Sequence, residues 1–301
     1  MSRSWVLLAG GRSAERDVSL NSGQACAEAM TRLGIDFERI DPADAGWLQR
    51  VEQLQRPVFS ALHGGDGENG VIQGSLQALG LPYTGSGVLA SALAMDKQRC
   101  KFMWQGMGLP TADFAMLQAG SDWQDIIDQL GPVMVKPVRE GSSIGMARAD
   151  DAAELERAWR EASRFDAMVM AEAWIDGPEY TVAVLAGEVL PVIGLKAEGV
   201  FYDYQAKYIS DNTQYLLPSG LSDADEAAVQ ELALQAFNSL GCEGWGRVDV
   251  MRTSAGEWRL LEVNTIPGLT DHSLVPMAAK AAGLSFDDLI ARILDSAGGA
   301  A

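Results

Sequence analysis

The chain has 301 residues, 48% hydrophobic and 21% charged, enough for two or three compact domains and incompatible with wholesale disorder. Lys and Arg number 23 against 41 Asp and Glu, a formal charge of −18, which makes nucleic acid or an anionic membrane a poor electrostatic partner. Any anionic ligand must therefore be held by local positive groups against the global field.

The apolar run 5–9 is too short for a signal-peptide core, and no stretch approaches a membrane span, so a cytoplasmic location is expected. The same run ends in Gly10-Gly11 and reads as a buried parallel strand. A helix follows over 20–33, closed by Gly34. A strand at 57–62 ends in His63-Gly64-Gly65, a helix covers 73–79, and a short strand at 81–85 runs into a turn. This βαβ rhythm predicts a small open parallel α/β domain over about the first 85 residues.

A helix is expected over 89–108, then one opening on a capping pattern, Ser121 three residues before Gln124. Strands at 133–138 and 168–173 are separated by a glycine loop at 139–145 and a helix near 151–164. Strands follow at 180–185 and 189–194. Residues 199–220 carry Phe201, Tyr202, Tyr204, Tyr208 and Tyr215 with no sustained period, and so long a loop is usually functional. A helix at 223–240 is capped by Ser222 and closed by Gly241. Two strands, 246–251 and 258–263, precede a last helix after Ser285, and the tail from Ser296 reads as frayed. Three distant cysteines without a CxxC pair argue against a disulfide framework or a thiolate zinc site, and two separated histidines indicate no zinc triad. There is no internal repeat.

The last two strands carry the densest chemistry. Arg247 and Asp249 leave one strand face, and Glu262 and Asn264 do the same on the next strand. A two-residue hairpin turn would set Asp249 opposite Glu262 and Arg247 opposite Asn264, with Val248, Val250, Leu261 and Val263 facing a core. Opposed carboxylates repel unless a cation sits between them. Hard oxygen donors of this kind suit Mg²⁺ with substrate phosphates, whereas an ordinary solvated face with Arg247 as counter-ion is the alternative.

Lys136 lies inside an apolar strand, where a lone ammonium is costly. The neighbouring loop, with Gly141, Ser142, Ser143 and Gly145, offers backbone N–H groups and hydroxyls to phosphate oxygens. A snorkelling Lys beside a glycine turn remains open as the simpler reading. The sequence contains neither a Walker A motif nor the dinucleotide fingerprint, since Gly10-Gly11 lacks the later glycines. Lys97, Glu172 and Glu179 read individually as solvated residues, and His63 and His272 as structural ones.

Taken together the pieces resemble the D-alanine–D-alanine ligase family of the ATP-grasp superfamily. The likeness runs from Gly10-Gly11-Arg12-Ser13-Ala14-Glu15 to Thr270-Asp271-His272-Ser273. Its most specific stretches are Ala61-Leu62-His63-Gly64, the 81–87 turn, Val135-Lys136-Pro137 with the glycine loop, Phe201-Tyr202-Asp203-Tyr204 with Ala206-Lys207-Tyr208, and Glu262-Val263-Asn264-Thr265-Ile266-Pro267-Gly268. The resemblance implies a three-domain ATP-grasp architecture, α/β at the N-terminus and α+β in the ATP-grasp part, divided at 1–87, 88–176 and 177–301. It implies ATP-dependent joining of two D-alanine molecules through an acyl phosphate, for peptidoglycan precursors, by a cytoplasmic homodimer.

Residue roles follow from the same resemblance. Lys97 and Lys136 hold ATP phosphates under the Ser142-Ser143 loop. Glu172, Trp174, Ile175 and Glu179 line the adenine and ribose pocket, Phe201 covers the base, and Lys207 joins the nucleotide contacts. Asp249, Glu262 and Asn264 hold two Mg²⁺ (or Mn²⁺) ions. Arg247 and the Gly268 N–H stabilise the oxyanion. Glu15 binds the first substrate's ammonium, Ser142 and Tyr208 link to Glu15, and His63 and Ser273 lie near the substrate carboxylates. Tyr208 marks dipeptide formers over ester formers, and the aromatic loop serves as a lid. Asp271 and the 65–68 segment depart from the usual pattern, which touches second-substrate binding. The alternatives are another ATP-grasp carboxylate–amine ligase, such as a glutathione-synthase-like enzyme, and a non-catalytic nucleotide-binding module.

Overall fold

Strand β1 (Trp5–Leu8) is apolar at every position and buried at every position, as a parallel strand covered on both faces must be. The computed structural model describes residues 4–196, 214–270 and 272–297. In it β1 lies between β2 (Phe37–Ile40) and β3 (Val58–Ser60), both parallel to it. Helices α1 (Arg16–Arg32) and α2 (Trp47–Leu54) make the crossovers, and α3 (Val71–Ala78) follows. The strand expected at 81–85 reduces to one parallel bridge between Tyr83 and Val58. Pro82 has no N–H to give a ladder, and Gly85 turns away at φ +86.

The helix expected over 89–108 is two helices, α4 (Val88–Met95) and α5 (Lys97–Gly106). Between them Asp96 is extended (φ −97, ψ 97), and its carboxylate accepts the Arg99 N–H at 2.9 Å. An Asp that caps a new helix offers the backbone an alternative to continuing the old one. Apolar spacing alone hides such a break. Similarly α6 (Trp123–Leu130) is capped by Asp122, not Ser121, whose hydroxyl instead accepts the Gln118 N–H.

Strands β4 (Phe114–Leu117), β5 (Val133–Pro137), β6 (Ala147–Ala149) and β7 (Val169–Ala173) form an antiparallel sheet in the order β4-β7-β5-β6. Helices α6 and α7 (Ala152–Ala162) cover one face. A third sheet, also antiparallel, runs β11 (Gln214–Leu216), β10 (Ile193–Lys196), β8 (Glu179–Leu185), β12 (Trp245–Arg252), β13 (Trp258–Asn264), with β9 (Glu188–Val189) paired to β8. The single strand expected at 189–194 is thus split around Leu190 and Pro191.

The helix Asp223–Ser239, capped by Ser222 as expected, packs behind this third sheet. So do α4 and α5, through Ala90, Ala94, Cys100 and Trp104. Trp5, Leu7 and Phe59 share a further core with Leu185, Ile193, Trp245 and the last helix, Phe286–Asp295. That helix opens on a Ser285–Asp288 capping box. An additional helix, Leu274–Ala281, was not anticipated. Pro276 reads as a breaker but sits in the first turn, where its missing N–H has no intrahelical partner to lose.

Candidate active site

Period-two alternation builds the walls of one cleft. On β5, Val133 and Val135 enter the core while Met134 and Lys136 face the cleft. On β7, Val169 and Ala171 enter the same core while Glu172 faces the cleft. On β12, Val248 and Val250 are fully buried while Asp249 and Met251 face it. The four-stranded sheet therefore contributes lysine and glutamate to one side and the third sheet contributes carboxylates to the other. The cavity between them measures about 610 Å³ and is also lined by Lys97, Ser143, Trp174, Ile175, Glu179 and Glu262.

The β12–β13 hairpin has Asp249 opposite Glu262 and Arg247 opposite Asn264. The turn is not the two-residue one. Thr253 pairs with Glu257 around a three-residue loop ending in Gly256 at φ +87, and a bulge past Asp249 restores the register. The bulge turns Leu261 out of the core and into the cleft wall, so Leu260 takes the core position expected of Leu261.

Each opposed carboxylate has a cation. Asp249, 3% exposed, accepts Arg247 Nε at 2.8 Å and Nη2 at 2.7 Å, and the Thr181 hydroxyl at 2.7 Å. Glu262 lies 3.2 Å from Lys97 Nζ, which also donates to the Glu140 carbonyl at 2.7 Å. Lys97 is thus a buried cleft residue at the first position of α5 rather than a solvated one.

Glu172 is fully enclosed, with Lys136 on one carboxylate oxygen and Lys101 on the other. Burial works to raise its pKa, but the two ammonium groups outweigh burial and hold it below the usual carboxylate value. Burial in turn lowers the pKa of Lys101, against the opposing pull of Glu172.

The glycine loop carries two consecutive non-glycine residues in the left-handed region, Ser142 at φ 51 and Ser143 at φ 58, a conformation that must be held by its surroundings. Ser142 donates its hydroxyl to Glu15. At the base of the loop Asp166 accepts the Arg139 N–H at 2.9 Å and the Arg139 guanidinium.

A second cluster adjoins the cleft through Ser142. Glu15 packs against Gly64, where a Cβ would lie 2.3 Å from its carboxylate and φ is +66, so only glycine fits. His63, 4% exposed, uses both ring nitrogens on protein atoms: Nδ1 lies 2.8 Å from the Ile266 carbonyl and Nε2 2.9 Å from Ser22 Oγ. A carbonyl can only accept, so Nδ1 carries a proton, while Nε2 shares a hydrogen bond with the Ser22 hydroxyl. Ser22 Oγ also accepts the Leu269 N–H at 3.1 Å. The Ile266–Leu269 segment, which contains Gly268, is therefore tied to α1 and His63. Gly268 also approaches Ser273 closely, since a Cβ there would lie 2.7 Å from its hydroxyl. Glu68, 3.7 Å from His63, has its pKa raised by burial.

Phe201, Lys207, Tyr208 and Asp271 lie outside the described residues, as does most of the expected lid. Sequence reasoning missed Lys101, Thr181, Asp166 and Ser22. Lys101 alone left a signal: with Lys97 and Trp104 it occupies a helical stripe whose other members are buried. Among the described residues no three His, Cys, Asp or Glu side chains converge. No helix among them is long and apolar enough to cross a membrane.

Residues 103–295 match the family model described as D-ala D-ala ligase C-terminus. The chain is 57% identical over 292 residues to a D-alanine–D-alanine ligase of Alcanivorax borkumensis, covering 96% of this chain and 92% of the relative. It is 55% identical to the ligase of Stutzerimonas stutzeri, covering 96% and 93%. A crystal structure of the Bacillus anthracis ligase superposes with a TM-score of 0.88 at 32% identity, covering 98% and 97%. The same enzyme complexed with ATP gives 0.86 at 29%, with the same coverage.

Proposed function

Because the chain belongs to the D-alanine–D-alanine ligase family, with its ATP-grasp fold, we propose that the cleft between its two antiparallel sheets is where ATP drives that ligation. The protein is a ligase that joins two D-alanine molecules at the expense of ATP, a step of peptidoglycan synthesis. The observation that carries the site assignment is the pairing, in one cavity, of Lys97 and Lys136 with the opposed Asp249 and Glu262. Cations for phosphate oxygens face oxygen donors for a metal.

The donor set fits Mg²⁺ or Mn²⁺, being two carboxylates and the Asn264 amide oxygen with no softer ligand. Asp249, Glu262 and Asn264 would hold two such ions, which neutralise phosphate charge during transfer. Lys97 and Lys136 bind the phosphates under the Ser142-Ser143 loop. Trp174, Ile175 and Glu179 take the adenine and ribose with Phe201 and Lys207, and Glu172, in the same cavity wall, pairs with Lys136.

The first D-alanine, its ammonium on Glu15, attacks the γ-phosphorus through a carboxylate oxygen, and the bond to ADP breaks. The amine of the second D-alanine then attacks the acyl carbon and loses a proton, and phosphate leaves with the attacking oxygen. Arg247 and the Gly268 N–H stabilise the oxyanion of that tetrahedral intermediate. His63 and Ser273 act near the substrate carboxylates, and His63 does so while fixing the 266–269 segment. Ser142 and Tyr208 orient Glu15. Water must be excluded, since it would hydrolyse the acyl phosphate. The three-part division at 87 and 176, a homodimeric state and a cytoplasmic location complete the proposal.

ADP release with Mg-ATP tests it, with D-alanine, L-alanine or no amino acid added. Release that requires D-alanine is expected. Equal release with L-alanine would contradict the substrate assignment.

A further inference from the structure

Lys101 is 1% exposed and Glu172 is 2% exposed, so neither meets bulk water. The Lys101 ammonium donates to Thr111 Oγ1 at 2.6 Å and to the Ala112 carbonyl at 3.2 Å, and forms an ion pair with one carboxylate oxygen of Glu172. The other Glu172 oxygen takes Lys136, and Lys136 lines the cleft. Among the described residues, Lys101 thus reaches the cleft through that carboxylate.

The charges explain why the arrangement is useful. A Lys136–Glu172 pair alone would be neutral, with the carboxylate cancelling the ammonium's attraction for phosphate. Adding Lys101 leaves the trio with one net positive charge in a site of low dielectric, where each charge counts for more than in water. Lys101 also engages one carboxylate oxygen, which leaves only the other for Lys136 and fixes where that ammonium sits. On α5, Lys97 and Lys101 lie one turn apart. One helix therefore reaches Glu262 on one wall and Glu172 on the other.

We propose that Lys101 is a positioning residue for nucleotide binding: through Glu172 it orients the Lys136 ammonium and keeps its charge available to the phosphates. This rests on the reading that Lys136 faces the nucleotide.

The test is equilibrium binding of Mg-ATP, with KM for D-alanine measured alongside, in Lys101→Met, Glu172→Gln, the double variant, Thr111→Val and Lys136→Met. Loss of a charge-assisted hydrogen bond predicts that Lys101→Met weakens Mg-ATP binding about tenfold or more, with KM for D-alanine within about twofold. In the Glu172→Gln background the same substitution should add less than about twofold, because the route through Glu172 is already cut. Thr111→Val removes an anchor of Lys101 but leaves the Glu172 pair, so it should lower the melting temperature and leave Mg-ATP binding unchanged. If Lys101→Met fails to fold, the double variant buries no uncompensated carboxylate and still gives the comparison with Glu172→Gln.

Unchanged binding in Lys101→Met, full additivity in the double variant, or a Thr111→Val defect equal to that of Lys101→Met would each overturn the proposal. Unchanged binding in Lys136→Met would overturn the nucleotide placement itself. A Lys136→Met defect beside a normal Lys101→Met would overturn only the role of Lys101.

Discussion

The Arg247 guanidinium makes two parallel hydrogen bonds to Asp249, Nε to Oδ1 at 2.8 Å and Nη2 to Oδ2 at 2.7 Å. The residues are two apart on one strand, and Asp249 is the carboxylate directly opposite Glu262. Planar fork geometry of this kind is specific to arginine. The pair holds a guanidinium beside Asp249, on the strand face that carries the opposed carboxylates.

Arg247→Ala should therefore lower kcat about 10²- to 10³-fold, the usual effect of losing one oxyanion donor. Mg-ATP should still bind, because Lys97 and Lys136 are untouched. Single-turnover kinetics beside equilibrium binding separates the two. A near-normal kcat would contradict the oxyanion role.

Ser22→Ala removes the hydrogen-bond partner of His63 Nε2 and the acceptor of the Leu269 N–H. Two buried polar groups lose their partner, which should lower stability by about 1–3 kcal/mol. It should also loosen the Gly268 segment, so kcat falls while KM for ATP does not move. Denaturant unfolding and separate titration of the two substrates check both halves.

Two helix caps give a matched comparison. Asp96→Ala and Asp122→Ala each remove a carboxylate that accepts an N3 amide, which should lower stability by about 1 kcal/mol for exposed Asp122 and by more for buried Asp96, which also pairs with the Arg99 guanidinium. Only Asp96 holds the start of the helix that places Lys97, so only Asp96→Ala should raise KM for ATP.

The glycine-loop base should contribute to acid sensitivity. Burial works to raise the Asp166 pKa, but the Arg139 guanidinium and the Met168 and Arg139 N–H groups outweigh it and hold it below the ordinary carboxylate value. A depressed folded pKa adds stability that is present above the unfolded value and lost as pH falls through the folded one. The melting temperature should thus fall on acidification below the ordinary Asp range. Asp166→Asn should be less stable at neutral pH and lose less on acidification. Parallel melting curves for the two proteins would contradict this.

How much of this was legible in the sequence depended on range. The Asp249–Glu262 opposition could be read from local pattern, because side chains alternate along a strand. Even so, the correct register came from a three-residue turn and a bulge that cancel, and Leu261 was misplaced as a result. The break at Asp96 was hidden because the apolar spacing continues across it. The Glu15–Ser142 bond joins residues 127 apart, and its roles came through family resemblance, since no local pattern links such positions. Lys101 was invisible in function because its partner, Glu172, lies on a strand of another element, and burial makes that charge meaningful only once the fold is known.

Joining of two D-alanine molecules through an acyl phosphate moves a carboxylate oxygen into the released phosphate. It is tested most directly by turnover of D-alanine labelled with ¹⁸O in its carboxylate, with products read by mass. One D-alanyl-D-alanine per ADP is expected, with one ¹⁸O carried from each first-site carboxylate into the released phosphate. Dipeptide formed with unlabelled phosphate, or ADP released without dipeptide, would contradict it.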